Sequence, residues 1–264
     1  MNMKKLIVTA DDFGLTSGVN KAVYECFLKG ILKNASIIAN SKEFFEAAKI
    51  AKKTKICVGV HLNITLGKSL TKIPEITDDE NNFRLSILKI FVTSLNKKKL
   101  SKIKKEFREQ IIKVKTNGIK VSYLDSHKHI HSFPPIFKIV VELAKEFNLK
   151  VRLPSDNLKS SFLKKFPRKI FYLIDKKIIE KENMKFAPNF LCISGLSSKR
   201  IFFWIKKFKG LGEISSHPSQ KDNSLKNYTF LIKEREFDRE LLLSKRLKDF
   251  IESQKIKLIT YNEI

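Results

Sequence analysis

The chain alternates between short, almost wholly apolar runs and longer segments whose apolar residues recur every three or four positions. Residues 4–10 read as a buried strand rich in Ile, Val and Thr, ending in the acidic pair Asp11–Asp12. Thr16 or Ser17 then caps a helix that turns Val19, Ala22, Val23 and Phe27 inward and ends at Gly30. Residues 35–39 predict a second strand, 44–53 a second helix, and 56–60 a third strand running into His61 and Asn63. A polar loop with Gly67 and Pro74 follows, then helices over 84–95 and 100–117. Residues 119–124 predict a strand that leads into YLDSHKHIH at 123–131. Pro134 and Pro135 open another helix, and 149–153 is a strand carrying Arg152. Residues 199–208 read as helix and 212–216 as a strand running into His217–Pro218. One long helix spans 229–252, and a last strand spans 257–260.

Alternation of this kind makes a parallel sheet covered by helices. The fold expected is α/β, an irregular (β/α) barrel of about seven parallel strands, with a doubly wound open sheet as the alternative. The length of 264 residues suits one barrel. With no internal repeat or linker, residues 1–264 are expected to form a single domain. The basic, aromatic stretch at about 155–195, punctuated by Pro154, Pro167 and Pro188, is expected to be a variable insert or lid.

A net charge of +26 raises a polyanion-binding protein as an alternative class. The excess is mostly lysine spread along the chain, without an Arg/aromatic motif or basic tail, which argues against a nucleic-acid partner. Lys164, Lys165, Arg168, Lys176 and Lys177 suit a solvated face better than a site for an acidic glycan or lipid head group. Cys26, Cys57 and Cys192 show no CxxC spacing and no disulfide framework, so a reducing, cytoplasmic setting is expected. The N-terminal apolar run is too short for a signal peptide, and no stretch approaches a membrane span. Apolar patches on α/β barrels often pair, which makes a homodimer the expected assembly.

Three of the five histidines, His127, His129 and His131, fall at alternate positions just after Asp125. On an extended chain such residues share one face. Asp11, Asp12, His61, His127, Arg152 and His217 each follow or end a predicted strand. In a parallel barrel those ends open on one face, where active sites are built. A carboxylate and two imidazoles make a catalytic metal set with open positions, and two adjacent aspartates can divide metal binding from proton transfer.

ADDFGLTSGVNKAV at 10–23, VGVHLNITLGKSL at 58–70, YLDSHKHIHSFPPIF at 123–137 and EISSHPS at 213–219 resemble, in order, the YdjC-like carbohydrate deacetylases. That family includes chitooligosaccharide (diacetylchitobiose) deacetylases and a hopanoid-biosynthesis-associated branch. The resemblance runs from residue 4 to the C-terminus and is weakest over 155–190. It implies a polysaccharide-deacetylase-like barrel and a divalent metal, often Mg²⁺. By motif position Asp12, His61 and His127 match the metal ligands and Asp11 the catalytic base, while His217 falls on the family's His-Pro motif. General acid is the role we expect of His217, and orientation of Asp11 that of Arg152. Ligand softness alone favours Zn²⁺ or Mn²⁺ over Mg²⁺. The reaction expected is metal-dependent removal of an acetyl group from an N-acetylated sugar, with a small carbohydrate or glycolipid as substrate. Hydrolysis of another bond, such as a phosphoester, is the alternative on the same face. His129 and His131 are expected to support the site, Asn63 to orient a ligand or touch sugar, and Phe190 and Trp204 to pack in the core rather than stack on a sugar.

Overall fold

The protein is described here by a computed structural model covering residues 3–154 and 167–264. In chain order the strands are β1 (Lys5–Phe13), β2 (Asn34–Ile37), β3 (Cys57–Leu62), β4 (Val121–Ser126), β5 (Lys150–Val151), β6 (Asn189–Cys192), β7 (Leu211–Ser216) and β8 (Lys257–Ile259). The helices are α1 (Ser17–Lys29), α2 (Phe44–Lys53), α3 (Ile87–Ser94), α4 (Lys97–Thr116), α5 (Pro134–Phe147), α6 (Arg168–Lys181), α7 (Ser198–Lys207), α8 (Ile232–Leu243) and α9 (Lys245–Ser253).

β1 is buried at every position after Lys5, because strands flank both of its edges. On one edge β7 pairs with it from Lys5↔Leu211 to Ala10↔Ser216. On the other edge β8 pairs with Lys5–Ile7, and β2 takes over from Thr9. Asn34 stands at this fork. Its Nδ2 donates to the carbonyls of Val8 and Ile259, and its Oδ1 accepts the Tyr261 N–H. A buried amide with its partners supplied in this way ties three strands together. Every pairing between these strands is parallel, and the strand order is β5-β4-β3-β2-β1-β7-β6 with β8 attached to β1. Among the described residues nothing pairs β5 to β6, so the sheet is a curled half-barrel rather than a closed one.

Most predicted elements lie within a few residues of the observed ones; three differ. The expected helix over 229–252 is two helices, because Ser244 leaves helical geometry (φ −69°, ψ 130°) and its hydroxyl caps α9 by accepting from Leu247 N. Within the expected excursion at 155–195, residues 189–192 form β6 beside β7, and 168–181 form α6. β6 is four residues long with only Phe190 fully buried, too little alternation to read as a strand. Residues 155–166 lie outside the described residues. The histidine cluster is not extended. β4 ends at Ser126, and residues 127–132 wind into a 3-10 turn with Lys128 and His129 at positive φ. The three imidazoles therefore do not share one face. Among the described residues no helix is long and apolar enough to cross a membrane.

One glycine shows how tightly the sheet interior is filled. A Cβ on Gly59 would lie 2.4 Å from the Tyr123 ring. That ring cannot step aside: it stacks on Tyr261 at 3.8 Å, and its hydroxyl shares a 2.8 Å hydrogen bond with Ser36. Gly59→Ala is expected to destabilise the fold by about 1–3 kcal/mol through overpacking. A lower urea midpoint at unchanged slope would show it; an unchanged midpoint would mean that the interior has slack.

Candidate active site

The site begins where β1 leaves the sheet. Pairing with β2 slips between Ala10 and Phe13, and Asp12 sits at φ 63°. In a regular strand the two adjacent aspartates would point to opposite faces. The irregularity re-aims them, as bulges beside active sites do, so that both reach the polar cluster. Asp11 and Asp12 are buried, as are His61 at the end of β3 and Asp125 beside it on β4, paired in register.

Asp12 is held by two kinds of neighbour. The Arg235 Nη2 donates to its Oδ2, while its Oδ1 faces His61 Nε2 at 3.3 Å and His127 Nε2 at 3.8 Å. That Oδ1 is buried and has no hydrogen-bond partner. Both imidazoles are committed on their other nitrogen. His61 Nδ1 donates to Asp125 Oδ1 at 2.8 Å. The Thr65 hydroxyl donates to Asn63 Oδ1, so His127 Nδ1 donates to Thr65 Oγ1 at 2.5 Å. In the neutral rings these outer bonds fix tautomers that leave both Nε2 lone pairs toward Asp12, the arrangement found around metal-binding histidines.

A second, overlapping group of possible ligands is Asp11, His61 and Asp125, whose donor atoms all lie within 4.8 Å of one another. It fits a cation less well. Asp125 has no oxygen to spare: Oδ1 binds His61, and Oδ2 accepts from Ser36 at 2.6 Å and Arg152 at 2.5 Å. The Arg152 guanidinium already stands between Asp11 and Asp125. Asp12, His61 and His127 offer one carboxylate oxygen and two imidazole nitrogens on a common side.

Charge points the same way. Four buried carboxylates, Asp11, Asp12, Asp125 and Glu213, surround two buried guanidiniums, Arg152 and Arg235. Asp238, a fifth buried carboxylate, adds to this excess of negative charge, which a cation would offset. Without it the site draws in a proton: burial opposes charging His61, yet Asp125 and Asp12 raise its pKa to about 10. Burial instead lowers His127 to about 3, which keeps it a neutral donor. For Asp12, burial alone would raise the pKa, but Arg235, His127 and His61 pull it well below the usual carboxylate range.

Arg152 is the hub of the cluster. It is fully buried just past β5, with Nη1 on Asp11 Oδ2 (2.9 Å) and Asp125 Oδ2, and Nε on Glu213 Oε1 (2.9 Å). Glu213 also accepts from the hydroxyls of Thr9 and Tyr261. Asp11 is ionised less readily than an exposed aspartate. Burial raises its pKa and the neighbouring Asp125 adds to this, against the pull of Arg152. A base moved toward neutrality in this way is suited to accepting a proton.

His217 follows β7 and faces Asp11, with Nε2 3.9 Å from its Oδ2. The Ser194 hydroxyl donates to Asp238, and His217 Nδ1 donates to Ser194 at 2.8 Å, leaving Nε2 unprotonated. Asp238 also accepts the His217 backbone N–H. Burial lowers the His217 pKa, so the ring rests neutral. To act as the general acid expected of it, the ring must first accept a proton. The side chains of His127 and His217 are 10% and 17% exposed, against 1% for both aspartates, so the site opens to solvent on the imidazole side.

All six sequence-predicted site residues meet here. His131 is a support: Nδ1 binds Ser126 Oγ, and Nε2 reaches the Arg152 carbonyl at 3.2 Å. His129 is buried edge-on against Phe190 with its Nδ1 unpartnered. Asn63 closes its own loop and holds Thr65, and so steers His127 at one remove. Phe190 is buried and Trp204 stacks on Phe208, as core residues do. Sequence reasoning did not assign Arg235, Asp238, Ser194, Thr65 or Glu213. Glu213, an acid inside an apolar strand, carried a readable signal; the others lie on loops or helices with no local mark.

The YdjC-like protein family matches residues 5–253. A protein named carbohydrate deacetylase from Thermoanaerobacter pseudethanolicus is 32% identical over 98% of this chain and 99% of its own. One of the same name from Brevibacillus brevis is 30% identical over 98% of this chain and 99% of its own. A solved structure from Enterococcus faecalis V583, named for cellobiose-phosphate cleavage, superposes with a TM-score of 0.83 at 24% identity, covering 99% of both chains. At that identity the superposition speaks for the fold alone. On the profile match and the full-length relatives, this chain belongs to the YdjC-like family.

Proposed function

We propose that the protein is a metal-dependent hydrolase that removes the acetyl group from an N-acetylated sugar or oligosaccharide. The observation that carries this reading is the convergence of His61 Nε2 and His127 Nε2 on Asp12 Oδ1, beside the Asp11–His217 pair. The carbohydrate deacetylase name of its full-length relatives supplies the substrate class.

Asp12, His61 and His127 would hold the cation. When bound, a divalent cation polarises the acyl oxygen and lowers the pKa of a water. Asp11 takes the proton from the attacking water, with Arg152 fixing the carboxylate's direction. His217, neutral at rest, accepts at Nε2 the proton that Asp11 has taken from the water and delivers it to the leaving amine, while Ser194 and Asp238 keep the ring aimed. Two imidazoles and one carboxylate suit Mn²⁺ or Zn²⁺ by softness, and Mg²⁺ is the family expectation. A cytoplasmic location belongs to the same reading, since Cys26, Cys57 and Cys192 are free thiols.

The test is acetate release from a panel of N-acetylated oligosaccharides by metal-stripped protein resupplied with Mg²⁺, Mn²⁺ or Zn²⁺ in turn. Metal-dependent release is expected, and His217→Gln is expected to lower kcat by about 10²–10⁴-fold. Hydrolysis of phosphoesters with no acetate from any acetamide would move the reading to the other bond class.

A further inference from the structure

We propose that Arg235 is a positioning residue for the cation: it holds Asp12 so that only Oδ1 is offered as a ligand. The inference rests on the metal-centre reading above. Arg235 is 3% exposed, and its Nη2 donates to Asp12 Oδ2. Its Nε and Nη1 have no partner. Buried guanidinium donors left unsatisfied are rare and need a reason. Here the side chain gives up two possible hydrogen bonds, and the contact it keeps is the one with the carboxylate that faces both imidazoles.

The arginine is itself held from several directions. It lies on α8, and its carbonyl accepts the Ser219 N–H at 3.2 Å, two residues past His217. One turn on, Asp238 accepts the His217 N–H and the Ser194 hydroxyl. Next to Asp238, Arg239 clasps Glu25 of α1 with two nitrogens, at 2.8 and 2.6 Å. α1 is the helix that follows the Asp11–Asp12 bend. Thus α8 is tied to the helix after one end of the site and to the loop at the other. A guanidinium on so fixed a base can set the direction of a carboxylate that already sits at positive φ. With Oδ2 occupied, Asp12 binds through one oxygen and leaves coordination positions for water and substrate.

The experiment measures Mn²⁺ affinity by calorimetry and the visible spectrum of the Co²⁺-loaded full-length protein, for wild type, Arg235→Met and Arg235→Lys. Removing a positive charge beside the site would by Coulomb's law tighten cation binding. Positioning predicts the reverse. Arg235→Met is expected to weaken Mn²⁺ by about 10–100-fold, the usual cost of losing a partner that orients a ligand, and to change the Co²⁺ band shape as Asp12 turns. Arg235→Lys is expected to fall between the two and to keep the wild-type spectrum. If the Met variant fails to fold, weaker Mn²⁺ binding by a Lys variant with native melting carries the proposal. Unchanged affinity and spectrum in a folded variant would overturn it, and so would tighter binding, which would make Arg235 a competitor for Asp12. A wild-type protein whose Mn²⁺ affinity is indifferent to Asp12→Ala would remove the metal centre itself, a failure distinct from that of the arginine.

Discussion

Asp12→Ala will abolish cation binding at this site and with it hydrolysis, by about 10⁴-fold or more if the cation supplies several kcal/mol of transition-state stabilisation. The variant should still fold, with some loss of stability because buried Arg235 loses its carboxylate partner, since the larger network around Arg152 does not involve Asp12. The same centre gives a pH dependence with a definite sign. His61 has a raised pKa of about 10, and a ligand must present a bare nitrogen. Below that pH each cation displaces about one proton, so apparent affinity rises as pH rises. Calorimetry in two buffers of different ionisation enthalpy reads the proton count. A wild-type protein that binds Mn²⁺ with no proton release across pH 6–9 would mean that His61 is not a ligand.

Arg152→Met should be the most damaging single change to stability. It strips the shared cation from Asp11, Asp125 and Glu213, all buried, and leaves three carboxylates facing one another. Removing one partner of a buried ion pair costs about 3–5 kcal/mol, because the remaining charge has lost its compensation. For a chain of this size that is a fall in Tm on the order of 10 °C. Arg152→Lys keeps the charge but not the fork that reaches both Asp11 and Glu213, so an intermediate fall is expected. A melting temperature unchanged in the Met variant would mean that the carboxylates take up protons at little cost. Asp11, whose pKa burial already raises, is the first candidate for that.

The legible parts of the molecule are those whose signal is local. β1, β3, β4 and β7 are almost wholly buried strands, and each carries a polar residue of the site at or just past its C-terminal end. Parallel topology sends strand ends to one face, which gathers Asp11, Asp12, His61, His127, Arg152 and His217 there. Helix boundaries followed from caps: Thr16 accepts from Val19 N, and Pro134 opens α5. The break at Ser244 was hidden because the apolar stripe of α8 runs on into α9, and periodicity does not report a local change of ψ. β6 was hidden for the opposite reason: it is too short and too partly buried to alternate. The histidine cluster was misread in shape although its importance was clear. Alternate spacing implies a shared face only in extended chain, and here two residues turn left-handed.

By itself the sequence determined the parallel α/β architecture and the identity of the six polar groups at its open end, because strand composition and order decide which residues stand at strand termini. Only the tertiary structure decided what those groups do to one another. The slip at Asp11–Asp12 is a property of the β1–β2 pairing, and it is what lets two adjacent carboxylates serve one site. The supports Arg235 and Asp238 lie more than 200 residues along the chain from Asp12 and Asp11 or arrive through Ser194, so no window of sequence contains both partners. Charge balance, burial and hydrogen-bond direction are sums over neighbours in space, and those neighbours exist only once the sheet has curled.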